Sequence, residues 1–102
     1  MNKLEFLQSI KNIEPPKGLN PLLRSLWYDA KGDWNKAHEI VQELGSKTAS
    51  WIHGYLHRKE GDLINAEYWY MKAEHNIPEI EMDLEKEWNE ILDYLSDLLE
   101  AA

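Results

Sequence analysis

The amino-acid sequence predicts an all-α fold of about six helices, and three observations carry that expectation. Apolar residues recur at helical spacing in six successive segments, each bounded by Pro, Gly or a capping residue. The dipeptide Gly-Asp occurs twice, at Gly32-Asp33 and Gly61-Asp62, and each copy separates two such segments. No cysteine is present among the 102 residues, so packing must hold the core in place of disulfides or thiolate-bound zinc. A chain of this length suits one domain, 1–102, with a single modest core.

Leu4, Leu7, Ile10 and Ile13 predict a first amphipathic helix over about 2–13, stopped by Pro15 and Pro16. Asn20 followed by Pro21 reads as an N-cap and first helical residue, opening a second helix through Leu22, Leu23, Leu26 and Trp27 to about Lys31. Gly32 can then take the left-handed conformation that ends a helix, while the Asp33 carboxylate caps the next one. That third helix carries Trp34, Ala37, Ile40, Val41 and Leu44. Gly45 and Ser46 close it and open a fourth, through Ala49, Ile52 and Leu56. Gly61-Asp62 repeats the earlier device, and the fifth helix runs from Leu63 to about His75. After Pro78, the residues Leu84, Trp88, Ile91, Leu92, Leu95, Leu98 and Leu99 form one stripe without Gly or Pro, which predicts a single closing helix over about 82–100.

Superposing the two Gly-Asp pairs, 29 residues apart, aligns Tyr28 with His57, Trp34 with Leu63, Ala37 with Ala66 and Val41 with Tyr70. Small residues at Ala37 and Ala66 let paired helices approach, and Val41 and Tyr70 fill the space one turn on. The ladder Gly61, Leu63, Ala66, Tyr70, Ala73 and Pro78, with Gly54 seven residues before Gly61, resembles the tetratricopeptide repeat family. The resemblance covers roughly Asn20 to Pro78, as a degenerate unit over about 20–45 and a clearer one over about 46–78. Its offset is shorter than the family's period of about 34 residues. It implies two helical hairpins between N- and C-terminal capping helices, and a scaffold that binds a protein or peptide. Trp27 to Ala73 also resembles a group of small bacterial all-helical proteins carrying Gly-Asp-Trp-x-x-Ala-His and Leu-His-Arg-x-Glu-Gly-Asp, a likeness that implies no activity. An ordinary helical bundle with independently arisen Gly-Asp turns is the competing reading.

Charge and hydropathy narrow the partners. The formal net charge is −8, with acidic residues concentrated in the last third, so a phosphate backbone is repelled and nucleic acid is not the expected partner. No uncharged apolar stretch approaches membrane-spanning length, and residues 1–13 lack the apolar run and cleavage site of an export signal. A cytoplasmic protein without cofactor is expected. The acidic run Glu79 to Glu87 reads as a solvated face that favours the start of its helix, with attraction of a basic partner as its functional alternative.

Two clusters are candidate sites. The repeat register directs Trp51, Tyr55 and Arg58, with Thr48 and Lys59 beside them, toward the concave side that such repeats use for peptides. Aromatic rings and a guanidinium are typical anchors at interfaces, and an acidic or aromatic peptide would suit them. The first unit has Leu22 and Leu26 at the matching positions, so a clamp for a C-terminal carboxylate is not expected. The alternative places Trp51 and Tyr55 under the first or last helix.

His53, His57 and Glu60 stand at i, i+4 and i+7 on the fourth helix, and His38 can approach from the third. Interior, hydrogen-bonded histidines are the primary reading of this possible polar pocket, and no metal is assigned. Its alternative is a metal-dependent or acid-base enzyme, although Gly54, Tyr55 and Leu56 after His53 break the zinc-protease pattern. Tyr68, Trp69 and Tyr70 point in three directions around their helix, so one ring, expected to be Tyr68, faces outward and offers a homodimer contact.

Overall fold

Residues 1–79 and 81–100 are described by a computed structural model of the chain. Among them seven helices follow in order: α1 (Lys3–Ser9), α2 (Pro21–Ala30), α3 (Trp34–Gln42), α4 (Lys47–Glu60), α5 (Leu63–Lys72), α6 (Leu84–Tyr94) and α7 (Ser96–Glu100). No strand occurs among the described residues. The fold is all-α, as the periodicity predicts.

Local chemistry sets most boundaries. The Asn20 side chain accepts from the Leu22 N–H with Pro21 in the first turn, and the Ser46 hydroxyl accepts from the Ala49 N–H. Gly32 and Gly61 take φ of +86° and +88°, where a Cβ is strained. Each turn is tied by the same bond: Asp33 N–H donates to the Tyr28 carbonyl at 2.9 Å, and Asp62 N–H to the His57 carbonyl at 3.0 Å. The two carboxylates then cap α3 and α5 by accepting from Lys36 and Asn65 N–H. One turn geometry thus builds both hairpins.

Those hairpins, α2 with α3 and α4 with α5, are the principal packing units. Ala37 and Ala66 are buried at the crossings. At Gly54 an added Cβ would stand 3.1 Å from the Tyr70 ring and 3.3 Å from the Ala66 carbonyl oxygen, so α4 and α5 approach closely enough there that a larger residue would force its neighbours to give by a few tenths of an ångström. Leu63, aligned with Trp34, packs less than the alignment implies: it is half exposed and borders a surface cleft.

The terminal helices close the core. Trp88, Ile91, Leu92, Leu95 and Leu99 are buried, following the expected stripe. Burying a Leu or Ile completely stabilises by about 1.5–3 kcal/mol, so Ile91 and Leu92 alone make α6 a substantial part of the fold. The stripe is not one helix. The chain breaks at Leu95, whose N–H donates to the Ile91 and Leu92 carbonyls in the last turn of α6, and α7 restarts against α1. The turn allows Leu99 to reach the core, with the amino group of Met1 donating to its carbonyl at 3.2 Å.

The first helix is shorter than expected and buries a different face. Leu4 and Ile13 are exposed, whereas Phe6 and Ser9 are buried. Phe6 lies 6.4 Å from the Trp88 ring, and the Ser9 hydroxyl accepts from the Trp27 indole. Contacts with α2 and α6, rather than the spacing of leucines, orient α1. The radius of gyration, 12.8 Å, is that of a packed domain of this length, about 13 Å. No described helix is long and apolar enough to cross a membrane.

Candidate functional site

The five residues expected on a concave peptide groove do share one side of α4, and that side faces other parts of the chain. Trp51 and Tyr55 are buried, Arg58 has a side chain only 9% exposed, Thr48 is half-buried, and Lys59 reaches outward at its edge. Two carboxylates organise them. Glu87 of α6 accepts from the Trp51 indole at 3.1 Å, from the Tyr70 hydroxyl at 2.7 Å and from Arg58 Nε at 3.0 Å. Asp29 of α2 accepts from the Tyr55 hydroxyl at 2.7 Å and from Lys59 Nζ at 2.9 Å.

Glu87 corrects the expectation of a wholly solvated acidic run. Glu79, Glu81, Asp83 and Glu85 are exposed, but Glu87 is completely buried. Its position explains this: 84, 87, 88 and 91 fall at i, i+3, i+4 and i+7, so the acid lies within the apolar stripe of α6. Asp29, likewise unsuspected, continues the Leu22 and Leu26 face of α2. In both cases helical periodicity was the available signal.

Electrostatics follow from this burial. Desolvation raises the Tyr55 phenol well above its ordinary range, assisted by the charge and hydrogen bond of Asp29. Desolvation and Glu87 do the same to Tyr70. Burial works against the charge of Arg58, but the hydrogen bond and charge of Glu87 outweigh it and hold the guanidinium protonated. Both tyrosines therefore remain donors, and both carboxylates have fixed partners.

The helix α6 also divides the surface around these residues. On one side, Thr48 and Trp51 border a cleft with His75 and Tyr94. On the other, Tyr55 and Lys59 border one with Leu7, Trp88 and Asn89. Arg58 lies instead at a third cleft, a mainly apolar cavity of about 490 Å³ with Leu63, Ala66, Tyr70, Ile77, Met82 and Leu84. Its neighbour, sharing Met82, is lined by Glu79, Glu81, Asp83 and Lys86.

The histidines converge. His38 of α3 and His53 of α4 share a hydrogen bond of 2.9 Å between their Nε2 atoms, and His57 Nδ1 lies 2.7 Å from Glu60 Oε1. One ring nitrogen from each of His38, His53 and His57 lies within 4.8 Å of the others, close enough to address a common ion. Trp34 stacks on His38 at 4.8 Å, and Trp69 stacks on His53 at 3.8 Å. Burial, followed by the neighbouring His38 and His57, pushes His53 down to about 3. Burial and His57 also lower His38, against a smaller opposing effect of Glu60. His53 thus stays neutral at physiological pH, the state in which imidazole ligates metals.

Comparison with protein-family models, with curated proteins and with solved structures gives no significant match.

Proposed function

We propose that the protein is a small protein-interaction module of degenerate tetratricopeptide-like architecture, binding an amphipathic basic segment of a partner. The carrying observation is the apolar cleft of about 490 Å³ beside α5. Leu63 and Ile77 on its wall are each 49% exposed, room that an incoming apolar side chain would cover. Glu67 lines the same cleft, and Glu79, Glu81 and Asp83 surround the adjoining one, so Lys or Arg flanking the apolar anchor would meet opposite charge. An acidic peptide suits the chain less well, because Asp29 and Glu87 already neutralise Lys59 and Arg58.

Fluorescence anisotropy with a labelled amphipathic Lys–Leu peptide tests this reading against a Glu–Leu peptide of equal length. Saturable binding of the Lys–Leu peptide alone is expected, weakened at least about tenfold by Leu63→Ser with Ile77→Ser, a loss of about 1.4 kcal/mol. Equal binding of both peptides, or binding indifferent to those substitutions, would defeat it.

Exposed Ile64, Tyr68 and Met71 on α5, at i, i+4 and i+7, favour a second reading in which two copies pair through that face. Sedimentation equilibrium should then give a dimer that Tyr68→Glu dissociates. A monomer throughout would remove this reading.

A further inference from the structure

We infer that His38, His53 and His57 form a three-imidazole site for a divalent transition-metal ion, with Glu60 orienting His57 from behind. Imidazole nitrogen suits zinc, copper, nickel and cobalt, so the ligand class is a borderline cation rather than calcium or magnesium.

The geometry is close to that required. Zinc–nitrogen bonds of about 2.0–2.1 Å in a tetrahedral arrangement place the ligand nitrogens about 3.3 Å apart. The nitrogens here lie between 2.9 Å for the His38–His53 pair and the 4.8 Å limit containing all three. Binding replaces the His38–His53 hydrogen bond, opens that pair by about 0.4 Å and draws His57 inward. His38, the only half-buried ring of the three, is the one whose adjustment its surroundings obstruct least.

Each ring is already held in place by a different contact. Trp34 lies nearly parallel to His38, with an angle of 11° between the rings, and Trp69 lies at 12° to His53. The Glu60 carboxylate takes the Nδ1 position of His57 and leaves Nε2 as its ligating atom, the carboxylate–histidine arrangement that commonly supports bound metal. His53 and His57 are one turn apart on α4, the Ala66 crossing at Gly54 fixes α5 beside it, and α3 also packs on α4. Charge assists as well. Asp62 joins Glu60 within 4.8 Å of a His57 nitrogen, so two carboxylates stand beside the ring that faces a cation. Two hydrogen-bonded histidines would satisfy each other in a core; a third basic ring, backed by a carboxylate, is what a metal site adds.

Isothermal titration of the chelator-stripped full chain with zinc chloride tests the site directly. Cobalt chloride provides a visible-absorption readout of coordination, and copper chloride a quenching readout through Trp34 and Trp69. One ion per chain is expected, with an absorption band characteristic of nitrogen-ligated cobalt. His38→Asn, at the least buried of the three ligands, should weaken zinc binding at least a hundredfold, and His57→Gln should do the same. Glu60→Gln should retain the stoichiometry and weaken affinity about ten- to a hundredfold. His75→Gln, outside the cluster, should leave binding intact, and circular dichroism should show every variant folded. Absence of saturable one-to-one binding to the wild type would overturn the inference. So would binding that survives both His38→Asn and His57→Gln in folded protein, or binding abolished by His75→Gln alone.

Discussion

Arg58 and Glu87 form a buried ion pair, with Nη2 2.9 Å from Oε1, linking the last turn of α4 to α6. The pair explains why α6 lies along α4 rather than leaving the groove open. Apolar burial of Trp88, Ile91 and Leu92 supplies the attraction, while a buried ion pair has a net stability near zero against a well-packed apolar replacement. The pair therefore specifies where α6 sits more than how tightly it is held.

Removing one partner is a different matter. Glu87→Ala leaves Arg58 charged beneath α6 and deprives Trp51 and Tyr70 of their acceptor. A loss of about 3–5 kcal/mol in urea unfolding is expected. Arg58→Met combined with Glu87→Leu should recover only part of it, because the Trp51 indole and the Tyr70 hydroxyl still lack their acceptor. A loss below about 1 kcal/mol for Glu87→Ala would show that the carboxylate is solvated.

Gly54→Ala should destabilise even though alanine is the better helix former by about 1 kcal/mol. The new methyl meets the Ala66 carbonyl, which is backbone and cannot swing aside, as well as the Tyr70 ring. Overpacking of this kind costs about 1–3 kcal/mol, so the net loss in thermal unfolding should be roughly 1 kcal/mol. Gly45→Ala, with no neighbouring atom within 4 Å of its Cβ, serves as the comparison and should show no loss.

Acid should weaken the fold through His53. Its folded value of about 3 lies below the ordinary 6.5, so between those values the unfolded chain binds a proton that the folded chain refuses. The contribution is complete above pH 6.5 and is lost progressively as pH falls toward 3. Between pH 7 and pH 5, urea unfolding in the presence of chelator should show wild type losing about 2 kcal/mol more than His53→Gln. Parallel losses would contradict the buried neutral imidazole.

Local structure was legible at Asn20-Pro21, Gly32-Asp33, Ser46 and Gly61-Asp62 because each cap is satisfied within three positions of chain. The convergence of His38, His53 and His57 was also accessible, through helical spacing and the hairpin. The groove was legible only as two alternatives, open or covered by a terminal helix, and Trp51 and Tyr55 are buried. Glu87 finds its partners 17, 29 and 36 positions away, a relationship set by how α6 docks rather than by any local pattern. Phe6 was hidden for the same reason: one aromatic amid leucines becomes the anchor of α1 only when Trp88 is beside it. The break at Leu95 has no Gly or Pro to announce it and serves the packing of α7 on α1.

Closure of the α4 face by α6 is most directly tested by nuclear Overhauser spectroscopy on the full chain in solution. Cross-peaks should connect the Trp51 indole N–H with the Glu87 side chain and the Tyr70 ring with the same carboxylate-bearing residue, and the indole proton should exchange slowly with water. A Trp51 indole proton that exchanges at once and shows no contact with α6 would contradict the account.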